Sequence, residues 1–467
     1  MKGMAKCRNL RISLRLGGDP NEHGQRQGEA MEKLAETLPD DAHYVRQVTA
    51  LGDRRTVMAS EHIENADGMR LVRAGASINR ELYDKLVRHK LLKPLDSSLN
   101  VDNPVTVTTL LHEAKSLLDR EPCLAQIIEM TPHQEPMRVL GAVALNEALS
   151  FKLTVCHERA PEKFKHLLRV ALASVFLGDH LGLGDGELVE LASAGLFHDL
   201  GELHIDPQLF AAPRPLSQAE RRQIYTHPYV AYLILKSFSQ YHPRISSAVL
   251  DHHERLDGSG YPRGLRGAAV NSMGLMLAVT ELVVVMLERT RSRPDPQRMA
   301  AMLKLNMERF GQERVTPFIE VILRQGCGQS DGESADHAIT ADALRSHLAT
   351  LGGVLQLPAN WPSTPTANFV AEQLDALRQL ASRIGLSSES TVDTVALLGD
   401  DAAGLAEMEH LVGELSYQVS AVVHEVERRW PQMEVDDAIR GWLQAASALD
   451  RAPAAIPTAD TMTADSD

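Results

Sequence analysis

Between residues 166 and 281 the chain places histidines and carboxylates at nearly even intervals: His166, the His198-Asp199 pair, His227, the His252-His253 pair and Glu281. The steps are 32, 29, 25 and 29 residues, each enough for one helix and its turn. The flanking segments are apolar with helical patterning. His166 lies within Phe164–Ala171, Leu188–Leu200 ends at Gly201, Tyr229–Leu235 follows Pro228, and Ile245–Asp251 precedes the paired histidines. A bundle of such helices can aim one ligand or pair from each successive helix into a common cavity.

The residue types narrow the chemistry. Imidazole with carboxylate suits Fe, Mn or Zn, whereas an all-oxygen set would suit Mg or Ca. An aspartate beside a histidine can bridge two ions, and two ions about 3.5–4 Å apart can share a water and lower its pKa. Taken singly, each position also has a structural reading: a hydrogen-bonded core histidine, or a solvated helix end at His252-His253. Glu281 sits inside the apolar run Met273–Leu287 with no basic residue nearby in sequence. A carboxylate buried there is costly unless paired, protonated or metal-bound; a kink at Thr280 would instead turn it to solvent. Glu162 lies one turn before His166, on the same helix face.

Read together, these residues resemble the HD-GYP family of HD-domain metal-dependent phosphohydrolases. The matching residues are His166-Leu-Leu-Arg169-Val170, His198-Asp199-Leu200-Gly201-Glu202, His227-Pro228, and the block His252-His253-Glu254-Arg255-Leu256-Asp257-Gly258-Ser259-Gly260-Tyr261-Pro262. The resemblance covers about residues 155–325. It implies an all-helical catalytic bundle that hydrolyses cyclic di-GMP to linear pGpG and/or GMP through a metal-activated hydroxide, with His198 and Asp199 as catalytic residues. The implied ligands of two or three divalent ions, Fe or Mn before Zn, are His166, His198, Asp199, His227, His252 and His253, with Glu162 for a third ion and Glu281 from the apolar helix. Arg255, Arg263 and Arg291 are the candidate phosphate clamps. Gly260, Tyr261 and Pro262 form the signature loop, through which a diguanylate cyclase or another signalling protein would be recognised.

Two positions depart from the family pattern. Glu202 stands where the family has a phosphate-directed lysine, and Glu281 where it has an aspartate. Glu202 favours a competing reading, a catalytically degenerate module that binds metal and nucleotide and acts through protein contacts. A third reading keeps the hydrolase with a different nucleotide substrate.

The rest of the chain sets the context. The expected organisation is mainly α: a small mixed α/β domain over 1–100, a helical connector over 101–154, the metal-binding bundle over 155–325, a linker over 326–365, a helical bundle or coiled coil over 366–450, and a disordered tail over 451–467. In the N-terminal domain, Arg11–Leu16, Thr56–Ser60 and Met69–Val72 look extended, and Asn79–Lys90 looks helical. Near the C-terminus, Leu405, Met408, Val412, Leu415, Val419, Val422 and Val426 repeat at three and four residues, which fits a local antiparallel bundle or a dimerising coiled coil. The net charge of −14 argues against broad nucleic-acid binding. That excess lies beyond residue 328, where acids outnumber bases about three to one, so a dinucleotide at the near-neutral bundle is not excluded. Four scattered cysteines without CxxC spacing, no secretory apolar run and no bilayer-length segment fit a cytoplasmic protein.

Overall fold

The structure, a computed structural model, describes residues 42–211, 214, 216–289, 296–325, 340–384, 386, 395, 401–430 and 436–449. All of them fall in the unit Pro39–Asp467. Arg11–Leu16, Arg291 and the 451–467 tail lie outside the described residues.

Helix α1 (Ala42–Leu51) leads into short strands β1 (Val57–Ala59), β2 (Ile63–Glu64) and β3 (Arg70–Val72), then a 3-10 turn and α2 (Tyr83–Val87), and finally β4 (Leu99–Val101). β1 pairs antiparallel with β4, Met58 opposite Asn100, and β2 pairs antiparallel with β3, Ile63 opposite Val72. The expected extended segments at 56–60 and 69–72 are therefore strands, and the expected 79–90 helix is a 3-10 turn plus one short helix. Lys152 ties this part to the helices that follow: its Nζ lies 3.3 Å from Asp96 and 3.9 Å from the centre of the Tyr44 ring.

Helices α3 (Val107–Arg120), α4 (Pro122–Glu129), α5 (Pro136–Gly141) and α6 (Glu147–Arg159) make up the connector. The bundle proper consists of α7 (Pro161–His180), α8 (Asp185–Phe197), α9 (Gln218–Ile224), α10 (His227–Lys236), α11 (Pro243–Asp251), α12 (Ser272–Arg289), α13 (Pro296–Leu305) and α14 (Gln312–Gln325). α7 is buried nearly all round from Phe164 to Asp179, which a helix achieves only when covered on every side. α4, α5, α6, α8, α12 and α14 surround it. α8 also packs on α11, α11 on α10 and α12, and α10 on the 3-10 turn Leu200–His204. Every segment expected to bear a ligand thus packs against its neighbour in the bundle.

The segment expected as a linker is corrected in part: α15 (Ala341–Leu355) lies inside it, capped at its start by the Thr340 side chain and buried through Leu344, Leu351 and Val354. α15 packs with α16 (Pro365–Arg383), α17 (Ala402–Arg429) and α18 (Asp437–Ser447) around an apolar core that includes Leu374, Val412, Leu415, Val419 and Trp442. The three-four stripe of α17 is thereby buried against helices of its own chain. Among the described residues, no helix is long and apolar enough to cross a membrane.

Candidate metal centre

The expected ligands sit at helix ends, where the backbone fixes their orientation. His198 follows the last residue of α8, His227 opens α10, and His252 follows α11. Each donates its Nδ1–H to the carbonyl three residues earlier: His198 to Gly195 at 2.7 Å, His227 to Ile224 at 2.8 Å, and His252 to Val249 at 2.6 Å. A ring that donates at Nδ1 keeps the Nε2 lone pair for something else.

Those lone pairs converge. His227 Nε2 lies 3.3 Å from His252 Nε2 and 3.1 Å from His253 Nε2. Asp199 is buried at 4% exposure and stands between two groups of rings. Its Oδ1 is 3.3 Å from His227 Nε2 and 3.6 Å from His252 Nε2, while its Oδ2 is 3.2 Å from His198 Nε2 and 3.9 Å from His166 Nε2. Two ligand sets result, Asp199-His227-His252-His253 and His166-His198-Asp199, joined by the one carboxylate.

The donor set fits divalent ions. His166 Nε2, His198 Nε2 and Asp199 Oδ1 are buried without an aligned hydrogen bond from the chain. Lone pairs facing a carboxylate at these distances repel, and a shared cation removes the repulsion. The electrostatics agree. Burial and the neighbouring rings push His252 down to about 3 and His253 well below its ordinary value, so both rings are neutral at neutral pH, the form in which imidazole can ligate. Burial alone would raise the Asp199 carboxyl, but His198 and Lys163 outweigh it and hold the group well below the usual carboxylate range.

Gly201 permits this convergence. A Cβ there would stand 2.1 Å from the His227 carbonyl oxygen, so only glycine lets the turn after Asp199 close on the start of α10. Gly260 does the same for the signature loop, where a Cβ would meet the His253 carbonyl and the Glu254 backbone at 2.5 Å.

Several expected residues take other positions. Glu162 turns outward: its side chain is 63% exposed and pairs with Lys165 at 2.6 Å. Glu281 is buried, its Oε2 lies 3.8 Å from the Nδ1 of His253, and it lies outside both ligand sets. Arg255 lies over the Phe310 ring at 4.6 Å and donates to the carbonyls of His252 and Glu254. Arg263 pairs with Asp251. Both arginines thereby contact the loop or the helix end that carries it.

Tyr261 stacks on His253 with ring centres 4.5 Å apart and meets the Tyr225 ring at a tilt of 36°, 4.4 Å away. The loop behind it is built around the buried Glu254 carboxylate, which accepts from the backbone of Arg263, Gly264 and Leu265 at 2.6, 3.1 and 2.8 Å. α17 holds the same loop from outside. Arg428 donates to the Pro262 carbonyl at 2.9 Å, and Arg429 donates to that of Gly258.

Two residues at the centre have no counterpart in the sequence reading. Glu288, seven residues after Glu281 and so on the same face of α12, accepts from His166 Nδ1 at 3.1 Å and from Arg169 at 2.7 Å. Arg169 is gripped in turn by Glu121 of the connector at 2.6 and 2.9 Å. Lys163 contacts Asp199 at 3.0 Å and Glu202 at 2.7 Å.

Comparison with known proteins agrees with this geometry. The profile of the family described as HD domain matches residues 148–312. The chain is 31% identical over 156 residues to 3′3′-cGAMP-specific phosphodiesterase 1 of Vibrio cholerae, covering 33% of this chain and 35% of that protein. It is 26% identical over 181 residues to the cyclic di-GMP phosphodiesterase of Thermotoga maritima, covering 38% and 49%. A 28% identity over 176 residues relates it to the cyclic di-GMP phosphodiesterase response regulator RpfG of Xanthomonas campestris, covering 36% and 46%. The chain thus spans between about a third and a half of the length of these relatives. Residues 148–312 are an HD domain, and the residues gathered at its centre place it in the HD-GYP family.

Proposed function

We propose that this chain is a metal-dependent phosphodiesterase that opens a cyclic dinucleotide, cyclic di-GMP before 3′3′-cGAMP, by hydrolysis. The observation that carries this reading is the convergence of His166, His198, His227, His252 and His253 on the two oxygens of Asp199, with the Nδ1 protons of His198, His227 and His252 already given to backbone carbonyls. His166, His198 and Asp199 would hold one divalent ion, and Asp199, His227, His252 and His253 a second, Fe or Mn before Zn. When bound, the pair supplies an ionised water at neutral pH and offsets the charge that develops on the phosphoryl oxygens.

The protein's own contribution is orientation and dryness. Asp199 presents one oxygen to each set, and its depressed pKa keeps it an anion. Glu288 fixes His166 through Nδ1, and Glu281 is placed to do the same for His253. Tyr261 lies against His253 and screens that side of the centre from water. In hydrolysis, the water oxygen adds to phosphorus, the bond from phosphorus to the ribose 3′ oxygen breaks, and that oxygen takes the proton. The outward turn of Glu162 supports two ions over three.

The test is a turnover panel of cyclic di-GMP, 3′3′-cGAMP and linear dinucleotides with Mn- and Fe-loaded protein. A linear product that vanishes when a chelator strips the metal is expected. No product from any member by fully loaded protein would leave the degenerate signalling module as the better reading.

A further inference from the structure

Lys163 stands where helix chemistry disfavours it. It occupies the first turn of α7, at the positive end of the helix dipole, where an acid is preferred and a cation is unfavourable. Its neighbour Glu162 is 63% exposed and pairs with Lys165. Lys163 instead bends inward to two carboxylates from another segment, Asp199 at 3.0 Å and Glu202 at 2.7 Å. Neither the helix nor its packing explains this choice; the anions beside the centre do.

The Lys163 side of the centre is partly open to solvent, while the ligating rings lie deeper. The side chains of His198 and His227 are 1% exposed and that of His252 is fully buried. Those of Lys163, Glu288 and Glu202 are 20%, 12% and 10% exposed. A ligand reaching Asp199 from this side passes the Lys163 ammonium. Among the described residues, three arginines near the centre are held elsewhere: Arg169 by Glu121 and Glu288, Arg263 by Asp251, and Arg255 by backbone carbonyls.

We propose that Lys163 is the cation that receives the substrate's phosphodiester, and that Glu202 is the tether holding its ammonium at the mouth of the centre. The assignment rests on the hydrolase reading and names the phosphate-binding group of that same site. Divalent ions on Asp199 share that carboxylate's charge, so Glu202 remains the counter-charge of Lys163 while the mouth as a whole becomes positive. A monoanionic phosphodiester matches it. Glu202, the departure that argues against catalysis when read alone, then becomes half of a transposed pair.

The experiment compares full-length wild type, Lys163→Ala and the double variant Lys163→Ala with Glu202→Lys, each loaded with Mn. It measures KM and kcat for cyclic di-GMP, equilibrium binding of the same nucleotide, metal content and thermal midpoint. Lys163→Ala is expected to raise KM and Kd about tenfold or more with metal content unchanged. The double variant restores a cation without restoring the ion pair, and is expected to recover most of that loss. A structural ion pair predicts the reverse: a lowered midpoint, unchanged Kd and no recovery in the double variant, and that result would overturn the proposal. If wild type binds the nucleotide without turning it over, the hydrolase reading falls while the Kd comparison still decides the role of Lys163. If loaded wild type does not bind it at all, both fall.

Discussion

Glu288→Gln is the substitution that best separates orientation from ligation at this centre. The wild-type carboxylate accepts from His166 Nδ1 at 3.1 Å and from Arg169 Nη1 at 2.7 Å, with its side chain only 12% exposed. Glutamine keeps the shape and one acceptor but removes the charge that makes the imidazole a stronger base. Loss of such a carboxylate behind a ligating histidine costs about 10–100-fold in metal affinity, or roughly 1.4–2.7 kcal/mol. The fold should survive, because Arg169 retains Glu121 at 2.6 and 2.9 Å. Arg169→Ala, by contrast, strands two carboxylates and should destabilise by about 3–5 kcal/mol. The assay is titration of metal-free protein with Mn or Zn against a chromophoric chelator, resolving two binding steps. Only the step assigned to His166, His198 and Asp199 should weaken, and the step assigned to His227, His252 and His253 should hold. Equal weakening of both steps, or no weakening in a protein that melts like wild type, would refute the proposed division of ligands.

Three further outcomes follow from particular contacts. Gly201→Ala forces a Cβ to within 2.1 Å of the His227 carbonyl, so the variant should lose metal and melt well below wild type by calorimetry; a wild-type melt with full metal would contradict the close approach. Replacing both Arg428 and Arg429 by Ala frees the carbonyls of Pro262 and Gly258, and limited trypsin digestion should then cut faster at Arg263 and Arg266; an unchanged rate would mean that α17 does not hold the loop. Burial pushes the Cys156 thiol up to about 12, so iodoacetamide at pH 8 should leave it unlabelled until the protein unfolds, and labelling at the rate of a free thiol would show that the α6–α7 junction opens.

The convergence of the histidines on Asp199 was legible because their geometry is local. His198, His227 and His252 each stand at a helix end and bond to the carbonyl three residues back, so sequence position alone sets where Nε2 points. Glu162 was not, for a reason particular to the first turn of α7. Positions three and four before His166 share its face, and sequence spacing does not choose between them. The charges do: Glu162 turned inward would set a third carboxylate beside Asp199 and Glu202, whereas Lys163 pairs with both. Glu288 escaped notice because its partners, His166 and Arg169, are about 120 residues away and meet it only once α7 packs on α12. Helical periodicity revealed the C-terminal bundle, but not that α17 would also bind the signature loop through two arginines, since those contacts end on backbone carbonyls that carry no sequence signal.

The most direct test is to count metal and product together in wild type and Asp199→Asn. If one carboxylate bridges two ions and that pair performs the hydrolysis, wild type should carry two divalent ions per chain and linearise cyclic di-GMP. Asp199→Asn, folded by circular dichroism, should carry at most one ion and release no product. Two ions and wild-type turnover in Asp199→Asn would contradict the bridging role on which the assignment rests.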